Sequence, residues 1–331
     1  MELFSRIKTY FTPEKQALNP NLPSTSNIQS FQVIMEDVLD ESSRDFEVLG
    51  DWEEVEEDMR GEEKGAEVVS SMYVKGFLLI GQRCEGRALT VGEWRNMIQQ
   101  QNLSIYSKKD IYFSIFKGVD FTVRKDVWQL LANTAEMKKM TNLTYEQLAN
   151  PKDLPPSEAD MIEKDVVRTI GITEEIGELR RILTAYVNLR GKSYVQGMNL
   201  IGGILLRLLS LTNEHMFEGH EVVEEEWGER VFWVFVGVMK WKGWEEVFEP
   251  NMVGLTRMLD NLRTLMAQNV PRILEMLDEE GLGLGIFAQC YVTICLYGCP
   301  IELSKIILDL FLLDGEMVVH SLLIRMLVVN Q

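Results

Sequence analysis

From about Leu89 onward, apolar residues recur at intervals of three and four. No run of alternating β-branched residues is long enough to build a sheet. That texture leaves helices as the building material. Leu179, Ile182, Leu183, Tyr186 and Val187 mark one helical stripe, and Leu200–Leu209 is apolar nearly all round, which predicts a buried helix. Thr90-Val-Gly-Glu93 reads as a capping box opening a helix that carries Trp94, Met97 and Ile98. Further helices are predicted over Met252–Met266, over Pro271–Leu277 with Pro271 in the first turn, then over Ile286–Cys299 and Ile301–Leu313. The expectation is an all-α chain with no internal repeat.

The first 88 residues read differently. Residues 1–90 hold 18 acidic and 9 basic residues, a net of −9 and half of the chain's −18. Most of that excess lies around DWEEVEEDMRGEE, and residues 16–30 are polar and proline-bearing, a linker composition. The reading is a largely disordered acidic arm over residues 1–88, with the helical domain at 89–331. One stripe interrupts the arm. Phe31, Ile34, Met35, Val38 and Leu39 recur at helical spacing, giving a short amphipathic helix over residues 31–39 that either packs back on the domain or binds a partner.

Composition narrows the setting. No apolar run reaches the roughly 18–20 residues needed to cross a bilayer. The start, MELFSRIKTYFTPEK, lacks the continuous apolar stretch of a secretory signal. Four cysteines do not make a disulfide framework in a chain of this size. A net charge of −18 argues against nucleic acid and against direct adhesion to anionic membranes. The expected location is cytoplasmic.

The chemistry concentrates in two stretches, IEKDVVRT at Ile162–Thr169 and SYVQGMN at Ser193–Asn199, each with one side chain suited to phosphoryl transfer: Arg168 and Gln196. Upstream, FTVRKDVWQLL places Arg124 and Trp128 one helical turn apart. In order and spacing these three resemble R-x-x-x-W, I-x-x-D-x-x-R and Y-x-Q of the TBC-domain GTPase-activating proteins for Rab-type small GTPases. The resemblance covers about Ser107 to the end and includes LD-x-F-x-x-x-G at Leu308–Gly315. It implies a two-lobed, multi-helix domain. It departs at Ile170 and Gly171, where an aromatic and a proline are usual, and at Tyr291 and Leu308, where tryptophans are usual.

What the resemblance implies can be put physically. In GTP hydrolysis negative charge builds on the γ-phosphoryl oxygens and on the β–γ bridge, so catalysis is positioning plus charge stabilisation. Arg168 inserted in trans supplies a permanently charged fork of donors, typically worth about 10³–10⁵ in rate or roughly 4–7 kcal/mol. The Gln196 amide donates and accepts, so it can align the attacking water while bonding a phosphate oxygen. Asp165, three residues before Arg168, orients that arginine or braces the loop. Arg124 and Trp128 read as structural support, Tyr194 as packed against the same wall, and Gly197 as a place where a GTPase surface could approach the backbone.

The remaining motifs carry less. Cys290, Cys295 and Cys299 are read as core residues of one apolar helix, not as metal ligands. His215, His220 and His320 have no nucleophile beside them, and Gly281, Gly283 and Gly285 lack the spacing of a nucleotide-binding loop. The expectation is therefore a Rab activator with no cofactor of its own, which uses GTP and Mg²⁺ carried by a GTP-bound partner in vesicle trafficking. It would turn over no substrate itself and would reach endomembranes peripherally, through partners. The alternative is a catalytically silent scaffold that binds a GTPase without activating it.

Overall fold

The computed structural model describes residues 86–169, 175–211, 224–296, 299 and 301–329. Residues 1–85 of the proposed arm with its 31–39 stripe, Ile170, Gly171, His215 and His220 lie outside the described residues, while the last residues of the arm lie within them, the Arg87 amide donating to Asp110 Oδ1 at 2.9 Å. Among those described, every regular element is a helix. The helices of five or more residues are α1 (Val91–Gln100), α2 (Lys108–Lys117), α3 (Phe121–Leu131), α4 (Pro156–Val167), α5 (Ile176–Arg190), α6 (Met198–Leu211), α7 (Glu224–Val236), α8 (Val253–Asn269), α9 (Pro271–Glu279), α10 (Ala288–Val292), α11 (Ile301–Asp314) and α12 (Glu316–Val329). A π-helical turn, Gly237–Trp241, continues α7, and a 3₁₀ turn follows at Trp244–Phe248. None of these helices is long and apolar enough to cross a membrane.

The chain divides into two compact units, a larger one of residues 85–257 with 287–316 and a smaller one that includes 258–286 with 317–331. In the larger unit α5, α6 and α7 pack on one another and α4 lies on α5 and α6. The α5 stripe is fully inside: Leu179, Ile182, Leu183 and Tyr186 have no exposed surface. Gly202 lets α6 approach α5, because a Cβ there would sit 2.8 Å from Leu179 Cδ1. Tyr186 meets Phe235 of α7 edge-on at 5.0 Å, and Trp244 meets Phe311 of α11 at 4.8 Å. At the start of this unit the Thr90 capping box forms as predicted, with Trp94 and Met97 buried behind it. In the smaller unit Met258, Leu262 and Met266 of α8, Ile273 and Leu277 of α9, and Val319 and Leu323 of α12 are buried.

One predicted helix is not there. Ile286–Cys299 does not run as a single helix: a 3₁₀ turn at Leu284–Phe287 leads into α10, which ends at Val292. Ile294 and Cys295 then both take φ of +56°, and the Cys295 amide closes back on the Cys290 carbonyl at 2.7 Å. The turn survives in non-glycine residues because it buries Ile294 and Leu296, while the Thr293 hydroxyl satisfies the Gln289 carbonyl at 2.8 Å. Of the cysteines placed on one helix by the sequence, only Cys290 is helical.

Candidate functional site

Helix α4 carries a buried stripe that mixes apolar and polar residues: Glu158, Ile162, Asp165, Val166 and, just past its end, Thr169. Arg168 is the residue that caps the C-terminus, with φ −93° and ψ 0°. Its guanidinium Nη2 pairs with Asp165 Oδ1, and the two side chains differ sharply, 55% exposed for Arg168 against 5% for Asp165. An ion pair this open adds little stability. Its effect is orientation: a buried carboxylate holds one edge of the fork, leaving Nε and Nη1 for a further acceptor.

The second oxygen of Asp165 accepts the Tyr194 hydroxyl at 2.8 Å, and the same hydroxyl reaches Asn199 Oδ1 at 3.2 Å. Burial, then the bond to Asp165, raises the Tyr194 pKa, so the phenol keeps its proton and serves as the donor. Asn199 connects the two segments. Its Oδ1 accepts the Gly197 amide at 3.0 Å, while its Nδ2 donates to Thr169 Oγ1 at 2.9 Å and to the Asp165 carbonyl at 3.4 Å. Thr169 Oγ1 donates in turn to the Asp165 carbonyl at 2.7 Å. Glu158 takes the Tyr194 amide at 2.6 Å. The end of α4 and the loop into α6 are thus joined by a buried polar network, and the exposed side chains that flank it include Val167, Arg168 and Gln196.

Gly197 has a reason within the chain itself. It is buried at φ +104°, and a Cβ there would lie 3.1 Å from Val292 Cγ1 and 3.2 Å from Phe248 Cε1. The close approach comes from inside the chain. Arg124 and Trp128 are also buried, in a separate cluster on α3. The Trp128 indole donates to Asp309 Oδ1 of α11 at 2.5 Å. The Arg124 Nη2 donates to the Val119 carbonyl at 2.9 Å and lies 3.6 Å from Asp309 Oδ2. Burial pushes the Asp309 carboxyl up to about 7, against the pull of Arg124 and Trp128. These contacts reach none of Asp165, Arg168, Tyr194 or Gln196. Sequence reasoning missed Glu158, Thr169 and Asn199, although a helical stripe carrying Glu158, Asp165 and Thr169 among apolar residues is itself a signal of buried partners.

The profile of the Rab-GTPase-TBC domain matches residues 121–331, a stretch that contains the whole network. The chain belongs to the Rab-GTPase-TBC domain family. The GTPase-activating protein GYP5 of Saccharomyces cerevisiae is 28% identical over 220 residues, 66% of this chain and 22% of that protein. The human ecotropic viral integration site 5 protein homolog is 24% identical over 251 residues, 73% of this chain and 28% of its own. The chain thus spans about a quarter of the length of these relatives. The crystal structure of the Chlamydomonas flagellar RabGAP TBC domain superposes with a TM-score of 0.52 at 16% identity, covering 84% of this chain and 82% of that one. That likeness is one of fold. On this TBC domain Arg124 and Trp128 of the R-x-x-x-W motif meet Asp309, while Asp165, Arg168 and Tyr194 from the other two motifs share one network.

Proposed function

We propose that this TBC-domain chain is a GTPase-activating protein for a GTP-bound Rab-type GTPase, with Arg168 and Gln196 supplied in trans to the partner's nucleotide. The observation that carries the reading is the Asp165–Tyr194–Asn199 network. It fixes the backbone beneath an exposed arginine and an exposed glutamine from two segments distant in sequence. Such preorganised donors suit a transition state whose charge grows on phosphoryl oxygens. Asp165 keeps one edge of the guanidinium while the free edge stabilises that charge. Gln196 aligns the attacking water. GTP and Mg²⁺ come with the partner, and the chain binds no cofactor of its own. It acts in the cytoplasm, peripherally at endomembranes through its partners.

A hydrolysis screen over a panel of purified Rab-type GTPases tests the reading. At least one member should be accelerated about a thousandfold or more at saturating chain, within the range of about 10³–10⁵ available to an arginine finger. Tight binding to a GTP-loaded member with no acceleration anywhere in the panel would instead indicate a silent scaffold.

A further inference from the structure

We propose that Arg190 is a positioning residue for the glutamine loop, a role that rests on the reading of Gln196 given above. Arg190 is the last residue of α5, and the chain turns at Gly191, with φ +64°, into Lys192, Ser193 and Tyr194. Its side chain is 2% exposed. All three guanidinium nitrogens are committed. Nε pairs with Glu245 Oε1, Nη2 donates to Glu249 Oε1 at 3.0 Å, and Nη1 donates to the Ser193 carbonyl at 3.1 Å. Lys192 Nζ lies 2.6 Å from Glu249 Oε1, and Lys240 Nζ pairs with Glu245 Oε2. Three cations therefore offset two buried or half-buried carboxylates.

Glu245 lies in, and Glu249 caps, the same short 3₁₀ segment whose Phe248 ring packs against Gly197. That segment is anchored by the Trp244 indole, which donates to the Tyr291 carbonyl at 3.1 Å. One rigid strut thus holds the loop at Ser193, through Arg190, and at Gly197, through Phe248. Gln196 lies between the two holds. A planar fork with an acceptor at each of its three nitrogens fixes direction as well as distance, which a lysine ammonium cannot reproduce. Misplacing an aligned group by about 1 Å costs on the order of a hundredfold in rate, so a hold on the Ser193 carbonyl acts on the chemistry through Gln196.

The test uses the full chain with Arg190→Lys, which keeps the charge and most of the stem. Single-turnover GTP hydrolysis is followed against chain concentration on a Rab that the parent chain accelerates, and amide exchange is followed over residues 192–199. Arg190→Lys should lower the maximal rate about ten- to a hundredfold. It should leave the half-saturating concentration within about threefold and speed loop exchange at least tenfold. Added to Gln196→Ala, it should cost less than about a further threefold, because the loop then has no amide to position. A residue that merely supports the fold would impose the same fractional loss in both backgrounds, and that result overturns the proposal. So does parental exchange and rate in Arg190→Lys beside a damaged Gln196→Ala, which leaves the reading of the site intact. An unchanged rate in Gln196→Ala alone overturns that reading itself and Arg190's role with it.

Discussion

Asn199 is one amide that satisfies groups on two segments, and its removal cannot be neutral. Asn199→Ala leaves the buried Gly197 amide without its acceptor and Thr169 Oγ1 without its donor. Leaving such groups unpaired costs about 1–3 kcal/mol, so urea unfolding should show a loss in that range. An unchanged midpoint would mean that water replaces the amide. Asp309 makes a prediction in pH. Its folded carboxyl, pushed up to about 7 chiefly by burial, lies above an unfolded value of about 3.9. Between about pH 4 and pH 7 the folded chain therefore keeps a proton that the unfolded chain has lost. Stability falls as pH rises through that window, by at most about 1.4 kcal/mol per pH unit. Asp309→Asn keeps an acceptor for the Trp128 indole and removes the titration. The stability of the variant relative to the parent should rise with pH across the window; a flat difference would show Asp309 ionised throughout. At this scale the sequence displayed Arg168, Gln196 and Asp165, because short motifs carry them. It hid Asp309, whose partners Arg124 and Trp128 lie on a helix far away in the chain.

At the scale of elements, periodicity was a good guide where one face meets a core. The α5 stripe, the capping box of α1, buried α6 and proline-led α9 all stand where their patterns place them. It misled over Ile286–Cys299, because an apolar run looks the same whether it continues a helix or folds through a left-handed turn into the same core. Only the tertiary burial of Ile294 and Leu296 selects the turn. A related backbone feature is exposed and can be tested. Gln101 ends α1 in the left-handed region with φ 49° and ψ 41°. Placing a non-glycine residue there costs roughly 1–2 kcal/mol, against about 0.4–1 kcal/mol of extra unfolded-state freedom for glycine. Gln101→Gly should therefore raise unfolding free energy by about 0.5–1 kcal/mol, read from denaturant melts. A loss would mean that the bond from the Gln101 side chain to the Ile98 carbonyl outweighs the strain.

For the whole molecule, the helical class and the family were legible because three motifs recur in order across one long domain, and the matched profile runs over residues 121–331. The bonds that join the two segments were not legible, since they are made by Glu158, Thr169 and Asn199 across the fold. In the proposed function Arg168 and Gln196 act together on a partner's GTP. Single-turnover hydrolysis by the most strongly activated Rab, with Arg168→Ala and Arg168→Lys compared with the parent chain, tests it most directly. The expected outcome is a loss of about 10²–10⁴ for alanine, no rescue by lysine, and binding to the GTP-loaded Rab retained within about tenfold. Wild-type hydrolysis by Arg168→Ala, on a Rab that the parent chain activates, would contradict it.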